Sequence, residues 1–267
     1  MDSVAFEVDG RWVFRFPMRE VVERQLFVER DLLPALKPRL RIPIPNFTFL
    51  GQPDVDFAMH FAGYAKLAGR SAVAVDPSRV DFEAISRQLG AFLSEVHAFP
   101  VVEAARLGVQ TSRLEDYFDE VRASALTTMA TLSEAVPRLP ADGVTRYLEK
   151  LERLASAPWS FALTHHDLAA EHVLLDDFGA RVTGVIDWGD VNIADPTVDF
   201  VGLFAWGGET FVRAVLANYR GPVDERVLER VRPWAAFRSV QDIRFGLDNN
   251  MPELIDAGVR ALRAEID

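Results

Sequence analysis

The sequence predicts an α+β chain in two parts: a strand-rich opening with a single helix, then a mostly helical remainder. Three observations carry that prediction. Short apolar runs separated by turn residues dominate up to about Gly69. Beyond it, apolar residues recur at helical spacing in six segments. One β island, "HVLLDDFGARVTGVIDWGD", interrupts the helical part.

The elements follow in order. "VAFEV" and "RWVFRF" are β-type runs around Asp9-Gly10, a favoured two-residue hairpin turn. From Glu20 to Leu36 the apolar residues Val21, Val22, Leu26, Phe27, Leu32, Leu33 and Leu36 recur at helical spacing ahead of Pro38. "RIPIPNFTFLGQP" and "DFAMHFAGY" read as two further strands. Helical patterns then cover Phe82 to Phe99, Leu114 to Ala135, Val144 to Ala157, Phe200 to Tyr219, Val227 to Phe245 and Leu254 to Ile266. In the β island, Val173 to Leu175 and Val182 to Ile186 flank "DDFGA", a second hairpin signal. A symmetric turn centred between Gly179 and Ala180 pairs residues whose numbers sum to 359, which sets His172 opposite Asp187. No internal repeat or low-complexity linker separates the parts, so two packed lobes are expected, with the boundary near Tyr64 to Gly69.

Composition bounds the function. The 267 residues, 49% of them hydrophobic, suffice for a large core. With 29 Lys+Arg against 40 Asp+Glu, the formal charge is −11, which disfavours a nucleic-acid or anionic-membrane partner and suits a cationic one. The absence of cysteine excludes disulfides and thiolate metal sites. "MDSVAFEVDG" has neither the basic nor the apolar region of a signal peptide, and no apolar run approaches the ~18 residues that span a bilayer, so a cytoplasmic soluble protein is expected.

Three of the five histidines fall within "THHDLAAEH", Thr164 to His172. Zinc is one reading, but adjacent His165 and His166 diverge on extended backbone and no H-E-x-x-H spacing exists. A serine hydrolase would need a G-x-S-x-G elbow, which the chain lacks. Ordinary core histidines beside a turn are the bland reading. Phosphoryl transfer is the fourth: a carboxylate takes or orients the acceptor hydroxyl's proton while further side chains hold Mg²⁺ against the donor phosphates. Asp167 in a loop, with His172 and Asp187 at the mouths of a hairpin, suits that chemistry.

"HHDLAAEH" and "VIDWGD" resemble the H-x-D-x-x-x-x-N and I-D-x-G-D segments of the aminoglycoside phosphotransferase family, antibiotic kinases with a protein-kinase-like fold. The resemblance spans nearly the whole chain and is nearest to the 2″-phosphotransferase branch. It implies a bilobal fold with a small antiparallel β N-lobe, residues 1–66, and a larger helical C-lobe, residues 67–267. It implies Asp167 as the catalytic aspartate and His165 as the histidine bracing its loop. It implies Asp187 and His172 as Mg²⁺ ligands, although asparagine is usual at position 172 and oxygen is the harder donor. Asp190 and "DPTVD", Asp195 to Asp199, match the family's acidic continuation. His166 fills a variable position, and His97 in "LGAFLSEVHA" is structural.

In the N-terminal part, Arg15 of "WVFRFP" occupies the place of the kinase lysine on the α/β-phosphates, and Glu29 that of its helix partner. "FAGYAKLAG" resembles the hinge, where backbone at Tyr64, Ala65, Lys66 and Leu67 would hydrogen-bond the purine of ATP or GTP. The family's first strand and glycine-bearing phosphate loop do not precede "DSVAFEV" in this sequence; a start further upstream and a protein without a phosphate lid are both open readings, and the second motivates a nucleotide-binding pseudokinase as an alternative. A cationic aminoglycoside implies an acidic acceptor cleft, for which Asp190, Glu209, Trp234 and Asp242 are candidates. Macrolide, choline, homoserine and fructosamine kinases share the catalytic segments, so the reaction type is better specified than its acceptor.

Overall fold

The computed structural model describes residues 3–112, 149, 160–252, 254–256, 258, 259 and 262. The helices expected over 114–135 and 144–157 lie almost wholly outside them. The chain forms two compact units, Met1–Thr111 with Phe161–Pro222, and Ser112–Ser160 with Val223–Asp267. The 66/67 lobe division expected from sequence is a different cut, falling inside the first unit.

The first unit opens with β1 (Ser3–Val8) and β2 (Trp12–Pro17), joined antiparallel. Asp9 and Gly10 both take positive φ, 54° and 63°, and the Arg11 amide donates to the Val8 carbonyl, which is type I′ geometry. The ladder begins at Val8 and Trp12, so Arg11 is one loop residue more than a two-residue turn requires. Helix α1 (Glu20–Leu36) follows over the range its periodicity predicts. β3 (Phe47–Gly51) and β4 (Phe61–Ala65) complete a four-stranded antiparallel sheet in the order β1-β2-β4-β3. Both strands are shorter than expected; β3 starts only after Pro43 and Pro45, which have no N–H to give a ladder.

The period of two divides β2 by face. Trp12, Phe14 and Phe16 join Phe6, Phe49, Phe57 and Phe61 in an aromatic layer, with Phe16 and Phe61 stacked at 4.6 Å. Val13 and Arg15 face the other way, toward the first unit's cavity. A Cβ on Gly63 would stand 2.5 Å from the Phe14 ring, so this layer needs glycine beneath it.

The rest of the first unit is built around α2 (Phe82–His97), whose N-cap Asp81 accepts from the Ala84 amide at 2.8 Å, and α4 (Val198–Ala217). The two approach so closely at Gly90 that an added Cβ would meet the Val215 carbonyl at 2.5 Å. A short α3 (Val101–Arg106) follows Pro100. Helix α4 is long and apolar enough to cross a membrane by length and composition. It kinks at Gly208, φ 70°, and it buries Phe200, Leu203, Phe211, Val212 and Val215 and packs on α2.

Five short strands complete the unit. β5 (Arg70–Ser71), β7 (Val173–Leu175) and β8 (Val182–Val185) form one sheet; β6 (Ala162–Thr164) and β9 (Asn192–Ala194) pair antiparallel. The β7–β8 register corrects the sequence expectation. Val173 pairs with Val185 and Leu174 with Gly184, numbers that sum to 358 instead of 359, and an irregularity shifts Leu175 onto Val182. A bulge at the turn end absorbs one residue, so Ile186 stands opposite His172 and its amide donates to the His172 carbonyl at 2.9 Å.

In the second unit, α5 (Val227–Asp248) buries Val227, Val231, Trp234, Val240 and Ile243. Arg230, 4% exposed, donates to both carboxylate oxygens of Asp224 at 2.8 and 3.0 Å. Gly258 packs against Ile243 of the same unit.

Candidate active site

Glu29 stands in the apolar stripe of α1. Val22, Leu26, Glu29, Leu33 and Leu36 are buried at successive steps of four, three, four and three residues, so the helix turns this carboxylate inward. Arg15 meets it from β2: Nη1 donates to Oε2 at 2.7 Å and to Oε1 at 2.9 Å. The same guanidinium reaches Asp187, with Nη2 to Oδ1 at 3.1 Å. Burial, opposed by the Arg15 charge and reinforced by Asp187 and Asp190, pushes the Glu29 carboxyl up to about 7. Burial would lower the Arg15 guanidinium, but Glu29 and Asp187 hold it above its ordinary value, so it stays charged. Removing either partner would strand the other; for a buried pair that costs about 3–5 kcal/mol.

What holds the loop around Asp167 has no sign in the sequence. Asp199, at the start of α4 and fully buried, accepts from the His165 amide at 2.9 Å and the His166 amide at 2.7 Å. His97 of α2 adds its Nε2 at 2.9 Å, and its Nδ1 lies 2.6 Å from the Tyr219 hydroxyl. Burial pushes the Asp199 carboxyl up, but the His97 hydrogen bond, the His97 charge and the His165 amide outweigh it and hold it below the ordinary range. Periodicity gives no sign that an aspartate in the acidic run and a histidine on α2 would meet. His166 takes φ 72°, a left-handed conformation that this double amide clamp stabilises.

His165 is fully buried, and its Nε2 donates to the Ile186 carbonyl at 3.0 Å, tying the loop to the residue before Asp187. Its Nδ1 has no hydrogen-bond partner among the described residues, and burial lowers its pKa, so the ring stays neutral. Asp167 follows in the loop, half-buried, with Oδ2 3.6 Å from His172 Nδ1.

His172 Nδ1 also lies 2.8 Å from the Asp167 carbonyl oxygen. A carbonyl cannot donate, so Nδ1 carries a proton, and the neutral ring has its lone pair on Nε2. Nε2 is 3.7 Å from Asp187 Oδ2. The register alone would not bring these side chains together; Asp187 has φ 63°, which breaks the strand alternation just past β8. One carboxylate oxygen and one oriented imidazole nitrogen fit a divalent cation that takes its other ligands from nucleotide phosphates and water. Among the described residues no group of three or more such side chains could hold a metal unaided.

A cavity of about 510 Å³ adjoins this cluster. Ala5, Val13, Val22, Leu174 and Ile186 give it apolar walls, and Arg15, Gln25, Asp187 and Asp190 a polar end. Of the expected hinge, Tyr64, Lys66 and Leu67 line it, and Ala65 does not. The Lys66 amide already donates to the Arg11 carbonyl at 2.8 Å, and Lys66 Nζ pairs with Glu7 at 2.7 Å. Burial pushes the Tyr64 hydroxyl up to about 12. Gln25, which the sequence did not single out, donates to Asp190 Oδ1 at 3.4 Å. Glu209 lies on α4 paired with Arg213 at 2.8 Å and is not a cavity residue. Trp234, 5% exposed, and partly exposed Asp242 lie on α5 of the second unit.

A small antiparallel sheet with one inward carboxylate on its helix, a clamped aspartate loop and a hairpin ending in Asp187 define a kinase-like phosphotransferase. The chain belongs to the phosphotransferase enzyme family, whose sequence model matches residues 2–234. It is similar to the GDP and kanamycin complex of APH(2″)-IIIa, with TM-score 0.78 and 26% identity over 99% of this chain and 90% of that one. It is also similar to the GDP complex of wild-type aminoglycoside 2′-phosphotransferase-IIIa, with TM-score 0.77 and 29% identity over 100% of this chain and 89% of that one. These likenesses place it with the 2″-phosphotransferase branch. Viomycin phosphotransferase of Streptomyces vinaceus is 30% identical over 151 residues, 56% of this chain and 50% of that protein.

Proposed function

We infer that the chain transfers the γ-phosphate of ATP or GTP to a hydroxyl of a cationic small molecule, an aminoglycoside in the first instance. The observation that carries this is the meeting of Arg15, Asp187, His172 and Asp167 beside one cavity, from three separated segments. In this reading residues 1–66 are the nucleotide-binding lobe and the helical remainder carries the catalytic loop and acceptor site. The cavity takes the nucleotide, with apolar walls for the purine near Tyr64 to Leu67 and Arg15 turned toward its phosphates. Asp167 accepts a hydrogen bond from the acceptor hydroxyl, orients its oxygen toward the γ-phosphorus and takes its proton as the bond forms.

His172 and Asp187 would hold Mg²⁺ or another divalent cation, which when bound offsets phosphate charge. Arg15 keeps Asp187 in place through Oδ1, and Glu29 keeps Arg15. His165 and Asp199 hold the loop, so Asp167 meets the acceptor without reorganising. The acidic balance of the chain favours a cationic acceptor, and Asp190 at the cavity's polar end is the candidate to meet it.

The relatives above bind kanamycin or are named for viomycin, so both belong in the acceptor panel. The test incubates purified protein with Mg²⁺, ATP or GTP, and each acceptor, and reads the product by mass spectrometry. A gain of one phosphate on an aminoglycoside, with resistance to that drug in a susceptible bacterium, is expected. Donor binding without phosphorylation of any panel member would overturn the acceptor class.

A further inference from the structure

We propose that Tyr219 is a positioning residue for the phosphotransfer, a role that rests on the phosphotransferase reading: its hydroxyl fixes His97, and through His97 the carboxylate that holds the loop of Asp167. The path begins with the shape of α4. A straight helix of its 20 residues would set its ends about 30 Å apart. The ring centroids of Phe200, near its start, and Tyr219, just past its end, are nevertheless 5.3 Å apart. The helix therefore folds back at Gly208, whose φ of 70° and ψ of −173° belong to a region that only glycine enters readily. Phe211 returns over Gly207, where an added Cβ would stand 2.5 Å from its ring, and the rings of Trp206 and Phe211 meet at 5.2 Å. The returning half lies along α2: the Val215 carbonyl passes Gly90, and the Arg220 amide donates to Ser94 Oγ at 2.9 Å.

Both ends of α4 thus reach one imidazole. His97 lies 2.9 Å from Asp199 Oδ2 through Nε2 and 2.6 Å from the Tyr219 hydroxyl through Nδ1, and all three side chains are buried. An ionised carboxylate only accepts, so Nε2 carries the proton it shares with Asp199. Oδ2 of that carboxylate also takes the His165 amide, and Oδ1 takes the His166 amide. The last torsion of an aspartate or a histidine is soft. A second contact on each group removes that freedom. The Tyr219 hydroxyl stops the imidazole turning, and the imidazole stops the carboxylate turning away from the two amides. Asp167 is the next residue, and a misplacement of about 1 Å at a reacting group can cost about 10²-fold in rate.

Tyr219→Phe keeps the ring contacts with Phe200 and His97 and removes the hydroxyl alone. Hydrogen exchange of the full chain without ligands, read amide by amide, should show the His165 and His166 amides opening about tenfold faster in this variant, the change expected of one lost hydrogen bond, with the amides of α1 unaltered. In steady-state assays kcat should fall about tenfold, with KM for nucleotide and acceptor within about twofold of the parent. In the double variant with His97→Gln the loss should equal that of His97→Gln alone, because Tyr219 acts through that ring. Unchanged exchange at the two amides, an unchanged kcat, or losses that add up in the double variant overturn the proposal. If neither variant folds, the unaltered chain still decides: its His165 and His166 amides should exchange as slowly as those of the core helices, and rapid exchange at both defeats the proposal. The expected exchange pattern in a protein that phosphorylates no acceptor defeats only the phosphotransferase reading.

Discussion

In the proposed reaction a single carboxylate, Asp167, divides chemistry from binding. Its side chain is half-buried and its carbonyl is occupied by His172, so Asp167→Asn keeps the loop geometry and removes the proton acceptor. The expected kcat falls by roughly 10²–10⁴ with little change in nucleotide affinity; unchanged turnover in a steady-state assay would refute the role. Asp187→Ala should behave differently, because Arg15 loses one of its carboxylates and the proposed cation site its oxygen. A Mg²⁺ titration of nucleotide binding should shift to higher concentration, and an unshifted curve would count against ligation. The family resemblance singled out Arg15, Glu29, Asp167, His172 and Asp187, five residues that the fold brings into one cluster. Legibility ended at backbone detail: the bulge that moves the hairpin register and the positive φ of Asp187 have no signature in side-chain pattern.

Among the elements, α4 and α1 govern the site from behind. Gly202 of α4 lies under the catalytic loop, where an added Cβ would stand 2.3 Å from the Leu168 carbonyl and 2.8 Å from Ala169 Cβ. Gly202→Ala should destabilise by about 1–3 kcal/mol in denaturant unfolding and lower kcat more than it changes nucleotide KM, because the backbone next to Asp167 must shift. Equal losses in both parameters would place the loop elsewhere.

For α1 the reporter is Glu29, whose carboxyl rises from an ordinary value of 4.5 to about 7 through burial. Between those values the folded state binds more protons than the unfolded one, so this group's contribution to stability falls as pH rises through that window. The difference in unfolding free energy between the parent protein and Glu29→Gln should therefore change by a few kcal/mol from pH 4.5 to 7 and flatten above it. A difference constant across that range would show that Glu29 is ionised throughout. The helix itself was plain in the sequence, residue for residue, because its apolar period is strong. That Asp199 and His97 brace the loop was not, since two buried polar groups 102 residues apart meet only once α2 and α4 pack.

Over the whole molecule the formal charge of −11 gives the approach of a cation a direction. Long-range attraction acts on encounter and is screened over about 10 Å at 0.1 M salt, whereas contacts inside a closed site are screened far less. For a polycationic aminoglycoside, kcat/KM should fall several-fold as NaCl rises from about 0.05 to 0.5 M, with kcat nearly constant. An uncharged acceptor analogue should show no such dependence. The contrast between the two separates steering from a general effect of salt on the enzyme, because both acceptors share the nucleotide, the proposed cation site and Asp167. If both respond alike, the acidic surface serves solubility and not capture, and acceptor choice must come from contacts within the cleft.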